Sequence, residues 1–175
     1  MAEKKTKIVL DADVINHFVK GGLLDLLPQI LPEFQYIVLD VVRKELPIII
    51  LSALDKHMEK HGNIQEEVFG QSSGEKKEYF RLTASTGLHL GKGESACMVY
   101  CRYHHDVVGS SNTKDITDYC NEYGITYLTT NDFLYYAIQK DLLTIEEASD
   151  FITRIRKMGS YPPVVNFSTY ICKKL

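Results

Sequence analysis

The strongest constraint on this chain is the alternation of short apolar runs with longer stretches of helical periodicity. Residues 8–10, 36–39, 106–109 and 126–128 read as buried strands. Between them, Ile15, Phe18, Val19, Leu23, Leu24 and Leu27 recur at helical spacing, weakened at Gly21 and Gly22 and ended by Pro28. Further helices are expected from Asp40 or Val41 through Glu45, over 75–85, 94–103, 113–122 (closed by Gly124) and 132–140, and over 145–158 ahead of Gly159 and an extended tail. Strand and helix in alternation imply a parallel sheet covered on both faces. The expected architecture is therefore an α/β fold, a three-layer α/β/α sandwich around a central parallel sheet of four or five strands. One domain is expected over 1–175, with a flexible surface insertion near the polar residues 62–74 and a C-terminal helix plus tail over 145–175. Ligands on such sheets bind at the carboxyl ends of the strands.

Composition narrows the class. Hydrophobic residues at 45% and charged residues at 25% belong to a globular domain and set disorder and coiled coil aside. A net charge of −3 excludes a protein that holds nucleic acid by bulk positive charge, but not an enzyme that gathers carboxylates around cations. The longest apolar stretch, 46–54, is interrupted by Pro47 and Ser52 and falls short of the ~20 residues of a membrane helix. The polar N-terminus and four cysteines without a secreted spacing lead to an expectation of reduced thiols and a cytoplasmic location.

Acidic residues recur where strands end or helices begin: Asp11, Glu45, Glu94 and Asp115. Capping and the helix dipole account for an acid at a helix start, as at Glu94 and Asp115, without any ligand. Asp11 differs, because a carboxylate directly after a buried strand is costly unless something pairs with it. Carboxylates that converge repel one another, and protons or divalent cations must neutralise them. Oxygen ligands favour Mg2+ or Mn2+.

Four segments, VLDADVI at 9–15, VVRKEL at 41–46, LGKGESACMVYC at 90–101 and VVGSSNTKDI at 107–116, resemble the PIN-domain family of metal-dependent ribonucleases. The resemblance is to its bacterial branch, in which a Gly-x-Gly-Glu segment marks the third acid. It implies Asp11, Glu45 and Glu94 as the first three acids, and hydrolysis of RNA with Mg2+ or Mn2+. The fourth position departs from the pattern. Ser111 or Asn112 stands where the family has Asp, with Asp115 beyond it, so the implied metal set is Asp11, Glu45, Glu94, Asn112 and Asp115, with Asp13, Ser111 and Asp132 as secondary candidates. Lys92, Lys114 and Arg43 are the implied phosphate contacts, with Lys20 and Lys44 also near the acids. Many family members are toxins inhibited by a small antitoxin-type partner; such a partner and a homodimer are left open.

Two other readings compete. Asp11 and Asp13 in Asp-x-Asp-x-Val also resemble the nucleophile and acid of haloacid-dehalogenase-type phosphatases, although that leaves Glu45 and Glu94 without a task. Asn112 motivates a third reading, a decayed PIN-like module that binds RNA or protein without catalysis. Cys97 and Cys101, one turn apart before His104 and His105, are expected in the core rather than on zinc, and the tyrosines in packing. His57 and His61 share helical spacing and are expected on a solvated face.

Overall fold

A computed structural model describes residues 5–84 and 90–175. Five strands, β1 (Lys7–Leu10), β2 (Gln35–Leu39), β3 (Ile64–Glu67), β4 (Val107–Gly109) and β5 (Tyr127–Leu128), form one parallel sheet in the order β3-β2-β1-β4-β5. The helices are α1 (Ala12–Lys20), α2 (Leu27–Ile30), α3 (Asp40–Arg43), α4 (Ile48–His61), α5 (Ser73–Ala84), α6 (Lys92–His104), α7 (Thr113–Tyr123), α8 (Thr130–Gln139) and α9 (Ile145–Lys157). They pack as two sets, α1 with α4 and α9 and α8 with α2 and α9 in one, and α6 with α3, α5 and α7 in the other. The expected α/β sandwich is observed, with the sheet at its upper expected count.

The strand order reverses beside β1. The chain steps from β1 to β2 to β3 on one side, then crosses to place β4 on the other, with Ile8 paired to both Tyr36 and Val107. Such a reversal opens a crevice at the carboxyl ends of the two diverging strands. Ile8, Val9 and Leu10 have no exposed surface, as a strand covered on both faces requires.

Three local expectations are corrected. The helical spacing over 15–27 is not one helix: α1 stops at Lys20, Gly21 caps it, and Gly22 turns the chain in the left-handed region at φ 73°. Pro28 begins α2 instead of ending a helix, since the missing N–H of proline is one that a first turn leaves unbonded anyway. Residues 62–74 contain β3, which the polar run Gln-Glu-Glu disguised. As the edge strand it buries Ile64 and turns Gln65 and Glu66 to solvent.

Glu45 lies just past α3 in a tight turn, its N–H on the Val42 carbonyl at 3.0 Å, and Pro47 then caps α4, a helix the sequence reading did not delimit. The helices over 113–122 and 145–158 are observed as α7 and α9, and Gly124 closes α7 in the left-handed conformation. The helix expected over 75–85 is observed as far as Ala84, and Ser85 lies outside the described residues. All four cysteines are buried, Cys97 and Cys101 in the core as expected. Among the described residues no helix is long and apolar enough to cross a membrane.

Gly21 marks a close approach. A Cβ there would lie 2.0 Å from a ring carbon of Phe151 on α9, which itself packs on Phe18 with centroids 5.2 Å apart. Gly21→Ala is expected to lower stability by about 1–3 kcal/mol in urea unfolding. Phe151→Leu in the same chain is expected to recover part of that loss, whereas independent, additive effects would show that the ring is not what the methyl meets.

Candidate active site

Asp11 follows β1 directly and is the N-cap of α1, its Oδ1 accepting the Ala12 N–H at 2.8 Å. Its own N–H donates to the Gly109 carbonyl at 2.8 Å, so β1 and β4 stay joined up to the point where the carboxylate emerges. Ser110, the first residue after β4, donates its hydroxyl to Asp11 Oδ2 at 3.1 Å. Asp11 is only 5% exposed. Burial pushes its carboxyl well above the usual range, and the charges of Asp13 and Glu94 push it further.

Asp13 faces the same crevice from the first turn of α1. Its Oδ1 accepts the Val14 N–H and its Oδ2 the Ser111 N–H, both at 2.7 Å, which ties α1 to the loop after β4. Burial nevertheless raises its carboxyl to about 6. Glu94, in the first turn of α6, is 6% exposed and is pushed up to about 7 by burial and by the charges of Asp115 and Asp13. A helix N-terminus favours a carboxylate, so desolvation and like charge outweigh the dipole here.

Asn112 stands between the acids. Its amide nitrogen donates to Asp115 Oδ2 at 2.7 Å, and its side chain lies near enough to Glu94 to moderate the rise of that carboxyl. The neutral amide thus separates two carboxylates where the family pattern would place another charge. Glu45 reaches the rim from the turn after α3, with Oε1 accepting the Gly93 N–H at 2.9 Å at the start of α6. Gly93 permits this approach: a Cβ there would lie 2.4 Å from Glu45 Oε2.

The structure therefore brings Asp11, Asp13, Glu94, Asn112 and Asp115 together, with Glu45 at the edge. Other candidates fall elsewhere. Asp132 forms a capping box with Thr129, accepts the Tyr170 hydroxyl at 2.6 Å and pairs with Lys174 at 2.7 Å, which holds its carboxyl low despite burial. The Ser111 hydroxyl is engaged with Thr130 at 2.8 Å. Arg43 is held between Asp55 at 2.7 Å and Glu66 at 3.1 Å, so it braces α4 against β3 and is not available as a phosphate contact. Lys92 and Lys114 are exposed at the starts of α6 and α7, and among the described residues neither forms an ion pair.

A supporting chain behind the acids was not anticipated. Thr130 accepts from Ser111, and its hydroxyl meets Nδ1 of the buried His17 at 2.7 Å. Burial lowers His17 to about 4, so the ring is neutral and shares a single hydrogen bond with the Thr130 hydroxyl. Asp13 and His17 lie one turn apart on α1, a spacing that places both on one face and was readable in advance. The hydroxyl of Ser110 is the other omission.

The donors in the crevice are carboxylate, amide and hydroxyl oxygens, and among the described residues no ion pair neutralises Asp11, Asp13, Glu94 or Asp115. Such a set fits a hard divalent cation. The acids are spread more widely than the trio of potential ligands among the described residues whose atoms lie within 4.8 Å of one another, which is Asp25, His57 and His61.

No family model matches the chain, and no curated protein matches it. Among solved structures it is similar to a PilT N-terminus domain protein from the hyperthermophilic archaeon Sulfolobus solfataricus P2. The likeness has 9% identity and a TM-score of 0.46, and covers 75% of this chain and 94% of the other.

The raised carboxyls make stability depend on pH. As pH rises, the unfolded chain releases its protons near the ordinary values, 3.8 for Asp and 4.5 for Glu, while the folded molecule keeps them to about 6 at Asp13 and about 7 at Glu94. Their contribution is thus fully present below pH 4 and is lost as pH rises through 7. In EDTA, Glu94→Gln is expected to match the parent at pH 4 and to exceed it by about 1–2 kcal/mol at pH 8, solvent screening keeping the gain below the full shift. A constant difference across urea titrations from pH 4 to 8 would contradict an uncompensated Glu94.

Proposed function

We propose that this protein is a magnesium- or manganese-dependent endoribonuclease that hydrolyses RNA phosphodiester bonds at the crevice between β1 and β4. The observation that carries the reading is the convergence of buried Asp11 and Glu94 with half-buried Asp13, all without a basic partner among the described residues, at the point where the strand order reverses. Three of the four segments that resemble the PIN family meet there, and the second reaches the rim through Glu45.

Asp11 and Glu94 would hold the cation, with Asp115, the Asn112 amide oxygen and Glu45 completing its surroundings. A divalent ion bound there supplies charge for the phosphoryl oxygens and lowers the pKa of water. The chain's own groups do the positioning. Ser110 fixes one Asp11 oxygen, and the N–H groups of Val14 and Ser111 fix Asp13. Asn112 would keep Glu94 and Asp115 apart, and Lys92 and Lys114, exposed at the starts of α6 and α7, would meet flanking phosphates. A toxin role in the cytoplasm belongs to the same reading, with an antitoxin-type protein covering the acidic crevice.

Asp11→Asn and Glu94→Gln are each expected to reduce cleavage of single-stranded RNA in manganese buffer to background while circular dichroism stays that of the parent. Calorimetric titration of the parent with Mn2+ is expected to show binding that Asp11→Asn abolishes. Parent-like RNA degradation by both variants would end the proposal. Absence of Mn2+ binding by the parent would favour a non-catalytic module, and phosphate trapped on Asp11 a phosphatase.

Lys92→Ala and Lys114→Ala are each expected to lower the slope of log affinity against log salt by about 0.7 on single-stranded RNA. An unchanged slope would remove those lysines from the substrate path.

A further inference from the structure

The histidines expected on a solvated face have a partner. His57 and His61 lie one turn apart near the end of α4, with ring centroids 4.7 Å apart, and Asp25 comes to them from the loop between α1 and α2. Asp25 Oδ1 is 2.8 Å from His57 Nδ1 and 3.5 Å from His61 Nε2. We propose that Asp25, His57 and His61 form a binding site for one divalent transition-metal cation of the zinc type, separate from the acidic crevice.

Geometry supports it first. Two ligands held at ~2.0–2.1 Å by one tetrahedral zinc ion stand about 3.3 Å apart. The two observed separations fall on either side of that value, and all three ligand atoms lie within 4.8 Å of one another. The site closes by small rotations of side chains already in place.

Proton placement supports it independently. His57 is 4% exposed, and its Nε2 faces Asn63 Oδ1 at 2.7 Å. An amide oxygen only accepts, so Nε2 carries a hydrogen and donates it. A neutral ring then directs the Nδ1 lone pair at a carboxylate oxygen 2.8 Å away, a repulsive contact unless a proton or a cation stands in it. An imidazole that binds metal through one nitrogen and donates its other N–H to a carbonyl is oriented in this way.

The surroundings select the kind of ion. Asp25 and His57 line a surface cavity of about 330 Å3 together with Lys56 and Lys60. The two ammonium groups oppose Mg2+ or Ca2+, which are held by charge, and leave the advantage to cations that bond well to imidazole nitrogen. The cavity has room for water as the remaining ligand. Because α4 runs into β3 and α1 leads away from the carboxyl end of β1, the site lies at the opposite edge of the sheet from Asp11. A bound ion would tie the α1–α2 loop to α4.

The test uses the full chain, stripped with EDTA and titrated with Co2+ and then Zn2+. One equivalent of Co2+ is expected to give the visible absorption of a tetrahedral site, and Zn2+ to displace it. Asp25→Asn and His61→Gln change side chains outside the core and are expected to abolish the signal. Asn63→Ala is expected to weaken binding by about 10- to 100-fold, and Asp11→Asn to leave it unchanged. The proposal is overturned if Asp25→Asn and His61→Gln retain the signal, if Asp11→Asn removes it, or if the parent binds no Co2+ and His57 simply holds a proton against Asp25. RNA cleavage is not part of the readout, so this result and that of the nuclease test stand apart.

Discussion

The structure turns on a carboxylate buried at the end of its central strand. Asp11 directly follows β1, which has neighbours on both sides, and its backbone N–H on the Gly109 carbonyl anchors it where β1 and β4 are still joined. Its hydrogen bonds from Ala12 and Ser110 lower the cost of the charge without cancelling it. Asp13 and Glu94 then add repulsion. A fold built for stability alone would place an apolar or neutral residue at such a point. Several acids there raise one another's affinity for protons, and a cation that shared the space would relieve the same repulsion.

The rigidity of that space comes from hydroxyl and backbone donors more than from ion pairs. Ser111 ties the loop after β4 to α1 and α8, with its N–H on Asp13 of α1 and its hydroxyl exchanging hydrogen bonds with Thr130 of α8. His17 closes the chain from behind. Donors of this kind add no formal charge, so they orient the acids while leaving the negative potential of the crevice intact.

Much of this arrangement was readable from the sequence. The apolar run over 8–10 ending at Asp11 marked both a buried strand and the edge at which to look, and Glu94 and Asp115 followed from helix starts. What escaped had physical reasons. The edge strand β3 needs only one buried side chain, Ile64, so it carries no apolar run. Helical spacing continued past Gly21 because the residues beyond it are also buried, in a turn and a new helix. Arg43, near Glu45 in the sequence, and Asp132, a more distant candidate, are claimed by partners from β3, α4 and the C-terminal tail. Contacts at that separation leave no trace in local periodicity. The pairing of Asp25 with His57 was hidden for the same reason, since its partners are 32 residues apart.

The contact between Gly21 and Phe151 bears on how the molecule is made. A ribosome releases α1 long before α9, and β1 likewise waits for β4 from almost a hundred positions downstream. During that interval the first strand and helix lack the surfaces that cover them, and Phe18 is without its aromatic neighbour. Association over such distances is slow and leaves apolar surface open to chaperones in the meantime. The acidic crevice is assembled on the same schedule, so its carboxylates do not meet until translation has passed the second half of the sheet.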